Sequence, residues 1–189
     1  LLVRESTAFA LSGSNVSSEF HLAPDLALCD VDVHQIAQVI DNLVINAKQA
    51  MPEGGMLKVE ASNVDRDGSG ATPAPGRYVK ISISDTGDGI PASLQQRIFD
   101  PFFTTKPGGN GLGLATSHAI VQKHDGHMEV TSTVGEGSTF HIYLPVSTEA
   151  HDDAAGHAAV VHRGEGLVLL MDDESFILEL TGEMIASMG

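Results

Sequence analysis

Asn42, Asn46 and Gln49 recur at i, i+4 and i+7, a spacing that sets three amide side chains along one stripe of a helix. An amide oxygen is a neutral, hard donor and suits Mg2+, which takes oxygen ligands and keeps several waters. Asp85 stands where the alternating Val79, Ile81 and Ile83 run into the glycine turn DTGDGI (85–90). A carboxylate there can accept an exocyclic adenine N–H and so tell adenine from guanine. Gly87 and Gly89 allow close backbone approach and positive φ. GNGLGL (109–114) opens a helical pattern, so its N–H groups and the positive helix end suit a triphosphate. It is not a P-loop, because no Lys-Ser/Thr follows its last glycine. The dinucleotide spacing fails too, for want of a preceding strand. Lys106 is the strong cation of the stretch Thr104–Gly113 and the candidate for a phosphate contact. Thr139, in GEGSTF (135–140), is a candidate support for the phosphate-binding loop, beside its ordinary reading as a strand residue.

These residues need elements to position them. Leu1 to Leu11 reads as a helix end and Val16 to Leu22 as a strand. Asp32 with Gln35 three residues on reads as a capping box. The helix it starts buries Ile36, Val39, Ile40, Leu43, Ala47 and Ala50 and stops at Pro52-Glu-Gly-Gly. Leu57, Val59 and Ala61 alternate with charged residues as a half-buried strand, and residues 65–77 form a Gly/Pro/Asp-rich hairpin loop. After the strand that ends at Asp85 comes a long irregular stretch with one short helix near Pro91–Phe99. A helix over Leu112–Lys123 follows, then a hairpin of His127–Ser132 and Ser138–Leu144. Helices and strands in this order predict an α+β fold, one mixed sheet covered on one face by helices.

NLVINA (42–47), DTGDGI, GNGLGL and GEGSTF, together with IFDPFFTTK (98–106), resemble in order and spacing the ATP-binding catalytic domain of sensor histidine kinases, from about Val16 to Pro145. The resemblance implies the Bergerat two-layer sandwich with a mobile ATP lid. It implies that ATP is bound with Mg2+ on Asn46, Asn42 beside it, and Lys106 at the phosphates. Ala50, Asp85, Gly87, Gly89, Ile90, Gly111, Leu112, Gly113, Leu114 and Thr139 would complete the nucleotide site. Relatives of the chaperone, topoisomerase and mismatch-repair type carry a water-activating glutamate at the Asn42 position. Asn42 cannot act as a base, so transfer to another acceptor is expected over hydrolysis. The family often has Lys or Arg at the Gln49 position, and here Lys48 is adjacent instead. Phe99, Phe102 and Phe103 would pin the lid or meet a helical partner domain, with core packing an equal reading for Phe99. The acceptor histidine would lie on an upstream helical dimerisation domain. The rival reading is a nucleotide-binding regulatory module without phosphotransfer.

The bulk properties bound these readings. The 189 residues suffice for one well-buried domain and part of another. A formal charge of −15 argues against nucleic acid as partner. The single cysteine, Cys29, cannot form an intrachain disulfide, which fits a reducing cytoplasm. The nine histidines, His151, His157 and His162 among them, match no compact zinc spacing. The start at Leu1 reads as a piece of a longer chain, its parent either free or membrane-anchored. The expected boundaries are 1–15 for the end of a helical domain or its linker, 16–146 for the catalytic domain, 147–165 for a linker and 166–189 for a second domain's start. That last segment, an apolar strand, then Asp172 and Asp173, then an amphipathic helix, resembles the beginning of a response-regulator receiver. It would make the parent a hybrid kinase. With no sheet of its own to join, it is expected to be disordered or to dock on a neighbour's sheet edge. The piece as a whole is expected to be monomeric.

Overall fold

The computed structural model describes residues 2–11, 13–67, 73–106 and 108–147. The expected linker past residue 147 and the expected receiver start lie outside these residues, as does the centre of the 65–77 loop. The described elements run α1 (Leu2–Ala10), β1 (Val16–Leu22), α2 (Val33–Ala50), β2 (Gly55–Arg66), β3 (Gly76–Asp85), α3 (Ala92–Gln95), α4 (Gly113–Lys123), β4 (His127–Thr133) and β5 (Gly137–Pro145).

The five strands form one sheet in the order β1-β2-β3-β5-β4. β1 runs parallel to β2, and every other pairing is antiparallel, so the sheet is mixed as expected. Alternation decides which face is wet. Leu57, Val59, Val79, Ile81, Ile83, Phe140, Ile142 and Leu144 point to one face and close a single core with Ile36, Val39, Ile40, Leu43 and Val44 of α2. The odd and even partners land on opposite sides because side chains alternate along a strand. The other face carries Lys80, Ser82, His141 and Tyr143 in cross-strand register. It is polar without being bare. Tyr143 is buried there, its hydroxyl donating to Glu129 Oε1 at 2.7 Å, with the Arg66 guanidinium 5.4 Å from its ring centre. Burial and Glu129 push the Tyr143 phenol up to about 12.

Asp32 caps α2 as its spacing predicts, its Oδ1 accepting the N–H groups of His34 and Gln35. The expected reciprocal half is different. Gln35 Nε2 turns to Asp32 Oδ2 at 3.0 Å, while the Asp32 N–H donates to His124 Nε2 at the end of α4. The cap therefore joins two helices. α2 and α4 pack side by side over the sheet, which brings the amide stripe of α2 against the start of α4. Between β3 and α4 the chain runs through the short α3 and a series of turns. α3 is only four residues, shorter than the expected Pro91–Phe99 segment, and Ile98 behind it is buried.

Candidate nucleotide site

A cleft of about 590 Å3 opens between the polar stripe of α2, the end of β3 and the lid-like stretch before α4. Asn42, Asn46, Ala50, Asp85, Gly89, Ile90, Lys106, Gly111, Gly113 and Leu114 all line it. With Ser138 and Phe140 of β5, residues from four separate stretches of sequence thus meet in one place.

Asp85 forms the deep end. It sits at the last position of β3 on the helix-facing side and is 8% exposed. Its Oδ1 accepts the Gly87 N–H at 2.9 Å and the Ser138 N–H at 3.3 Å. Oδ2 makes no hydrogen bond among the described residues, so one acceptor is fixed by the fold and the other is uncommitted in a residue that lines the cleft. Burial raises the Asp85 pKa. The two N–H groups and the Lys106 charge pull it back, and Asp88 adds a further upward push.

Positive φ occurs at Gly89 (+74°) but not at Gly87, where the sequence also allowed it. Gly87 is needed for a different reason. A Cβ there would run into the Ala50 carbonyl and side chain, so the turn could not lie against the end of α2. Ala50 O in turn accepts the Asp88 N–H at 3.3 Å. Ser132, which the sequence did not single out, braces this corner. Its hydroxyl meets the Ile90 N–H at 2.7 Å, Gly137 O at 2.8 Å and Ser138 Oγ at 3.0 Å.

The amide stripe divides its labour. Asn42 Nδ2 donates to Gly113 O and to Ser117 Oγ, both at 3.2 Å, and Ser117 Oγ donates to Gly113 O at 2.9 Å. Asn42 is thereby a clamp between α2 and the first turn of α4. Asn46 and Gln49 instead face the lid. Asn46 Oδ1 accepts from Lys106 Nζ at 3.1 Å and Gln49 Oε1 accepts from it at 2.6 Å. Lys106 is exposed as a whole residue, yet burial of its charged end in the cleft lowers its pKa, with Asp85 pulling it up again. Lys48 lines a different depression, on the α1 side of α2, and does not enter the cleft.

α4 begins without a side-chain cap, so its first N–H groups are free to meet an anion beside Gly111 and Gly113. Asn110 Oδ1 accepts the Leu112 N–H at 3.2 Å and shapes the approach. The Phe102 N–H donates to Gly111 O at 3.0 Å and closes the base of the stretch from Phe102 to Gly111, here termed the lid. The three phenylalanines part company. Phe99 stacks on His118 with ring centres 5.1 Å apart, and Phe103 packs on the core under the Arg97 guanidinium. Phe102 is 76% exposed with φ +67°.

Three expected site residues do not face the cleft: Thr139, Leu112, and Gly87, which packs against Ala50. Thr139 lies on the opposite side of the sheet, bonded to Ser84 Oγ at 2.9 Å, because Asp85 and its partner Ser138 fix the parity of β5. Ser138 lines the cleft in its place. Leu112, the residue before α4, is exposed outside it. Asp88, Thr104, Thr105 and Ser138 are lining residues that sequence reasoning missed.

Residues 31–148 match the family model described as histidine kinase-, DNA gyrase B-, and HSP90-like ATPase. The chain is 35% identical over 182 residues to the sensor kinase CckA of Brucella abortus (strain 2308), covering 88% of this chain and 19% of that protein. It is 44% identical over 121 residues to the sensor histidine kinase ZraS of Escherichia coli (strain K12), covering 64% of this chain and 24% of ZraS. The chain thus spans a quarter or less of these relatives. Among solved structures, the catalytic domain of histidine kinase ThkA superposes with a TM-score of 0.63 at 30% identity, over 77% of this chain and 90% of that one.

Proposed function

Because the chain belongs to the histidine kinase-, DNA gyrase B- and HSP90-like ATPase family, we propose that it is the ATP-binding catalytic domain of a two-component sensor histidine kinase. It binds ATP with Mg2+ and presents the γ-phosphoryl group to a histidine on a separate helical dimerisation domain. The observation that carries this reading is Asp85, a buried carboxylate lining the cleft, with one oxygen tied to the backbone and the other without a hydrogen bond among the described residues. That oxygen accepts the adenine amino group, while a guanine would offer it a carbonyl. At the far end, Lys106 and the uncapped start of α4 neutralise phosphate.

Asn46 fits Mg2+. Its oxygen already has a cation, the Lys106 ammonium, as its partner among the described residues. No group of three His, Cys, Asp or Glu side chains gathers to hold a metal among those residues, so phosphate oxygens and water supply the remaining ligands. The ion, when bound, shields the charge of the phosphates from an approaching nucleophile. Asn42 offers no base and is occupied with α4, so this chain positions the phosphates without activating water.

The parent protein acts in the cytoplasm, where ATP is available, and passes the phosphoryl group to a response regulator. Residues 166–189 read as the start of its own receiver, which makes the parent a hybrid kinase. No described helix is long and apolar enough to cross a membrane. The test is calorimetric titration with a non-hydrolysable ATP analogue, with and without Mg2+ and against GTP, then phosphotransfer to a supplied histidine-bearing domain. Adenine-selective binding followed by transfer supports the reading. Binding without transfer leaves a regulatory nucleotide module, and no binding by folded protein refutes both.

A further inference from the structure

Lys106 enters the cleft from the lid, and the last turn of α2 meets it with two neutral oxygens, Gln49 Oε1 at 2.6 Å and Asn46 Oδ1 at 3.1 Å. No carboxylate pairs with Lys106 among the described residues, and Asp85 acts on it only through space. The lid side is equally well built. The Lys106 N–H donates to Thr104 Oγ1 at 3.1 Å, and Lys106 O accepts the Gly109 N–H at 3.1 Å, so the lysine projects from a hydrogen-bonded turn.

Two features of this contact have consequences. Gln49 makes the shorter bond and Asn46 the longer, so Gln49 is the main anchor of the ammonium. A divalent ion on Asn46 Oδ1 would stand no more than about 5 Å from Nζ, given a metal–oxygen distance of about 2 Å. Like charges at that range repel, so metal and ammonium compete for the one oxygen. Gln49 is long enough to keep the lysine once Asn46 is taken. Because both anchors are uncharged, neither repels a phosphate that the same ammonium must meet.

Building on the ATP reading above, we infer that Gln49 is a positioning residue that latches the lid to α2 through Lys106. The latch holds the ammonium at the phosphate end of the cleft, and metal loading shifts it from a two-oxygen grip to Gln49 alone. The geometry makes Gln49 and Lys106 one unit, and the test is whether they behave as one.

Hydrogen exchange of the lid amides between Thr104 and Gly111, measured without nucleotide, reads the latch directly. Gln49→Leu is expected to speed that exchange about tenfold, the loss of one bond to a charged donor, Lys106→Met, which loses both bonds, to speed it at least as much, and the double variant to do no more than Lys106→Met alone. Gln49→Glu is expected to slow lid exchange by pairing with Lys106, yet to weaken binding of Mg2+ with the ATP analogue AMPPNP about tenfold, since its carboxylate faces the phosphates. A role limited to helix packing would move lid exchange the same way in both Gln49 variants. Equal, additive effects of Gln49→Leu with and without Lys106, or unchanged lid exchange in Gln49→Leu, would overturn the latch. If no variant and no parent protein bound AMPPNP while the exchange pattern held, the latch would stand and the nucleotide reading would fall.

Discussion

The Asp85 carboxylate commits Oδ1 to the Gly87 and Ser138 N–H groups and leaves Oδ2 without a hydrogen bond among the described residues. Asp85→Asn is therefore expected to weaken binding of an ATP analogue by ~1.5–3 kcal/mol, the range for a hydrogen bond to a charged group. Unchanged affinity by calorimetry would remove Asp85 from adenine recognition. The pH dependence follows from burial, which holds the folded-state pKa above the unfolded value. Protonation at Asp85 thus favours the fold. That contribution is complete below the unfolded pKa and is lost as pH rises through the folded one. Affinity runs the opposite way, because the ionised carboxylate makes the stronger acceptor. It should fall as pH is lowered into the range just above ordinary carboxylate values, and Asp85→Asn should lack that fall when the titration is repeated across pH. Asn46→Ala removes the hard oxygen at the other end of the cleft. Its expected outcome is analogue binding that no longer responds to added Mg2+, and a Mg2+ titration matching the parent would clear Asn46 of the metal role.

At the scale of elements, the Asn42–Gly113–Ser117 triangle joins the helix that carries the amide stripe to the helix whose first turn lines the cleft. Ser117 is fully buried, and Ser117→Ala is expected to cost about 1–2 kcal/mol in urea unfolding, because its hydroxyl bonds to Asn42 Nδ2 and Gly113 O are both lost. Adding Asn42→Ala to Ser117→Ala should cost less than the two single losses together. The strands themselves were legible, since alternation of apolar and polar residues from Leu57 and from Val79 is a local pattern that names the buried face directly. The same parity, run back from Phe140, Ile142 and Leu144, puts Ser138 on the helix side and Thr139 on the other. The sequence therefore held the signal that distinguishes them. Asn42 is different. Nothing in its neighbourhood along the chain announces Ser117, 75 residues away, so its place on a polar stripe was visible while its task was not. The Asp32 cap was half legible for the same reason, its own spacing to Gln35 being local and His124 being 92 residues distant.

Over the whole molecule, a protein of formal charge −15 gathers the donors for an anion in one cleft, from a lid lysine, a helix end and backbone N–H groups, only the first of which shows in a charge count. The glycine blocks stood out in the sequence, and each holds a glycine where a Cβ would meet backbone, among them Gly87, Gly89, Gly111 and Gly137. The lid turns between Asp100 and Gly111 gave no periodic signal, so Thr104 and Thr105 came to light only in three dimensions. The Asp85 carboxylate is fixed by the Ser138 N–H, 53 residues further on, in register with the pairing of β3 and β5. This has a kinetic consequence. The pocket is incomplete until β3 and β5, tied across 53 residues between Asp85 and Ser138, have paired, so a folding chain offers a nucleotide no finished site before that long-range contact forms. A saturating ATP analogue should therefore slow unfolding in stopped-flow denaturation while leaving the refolding limb where it was, so that nucleotide prolongs the life of the finished domain without hastening its birth.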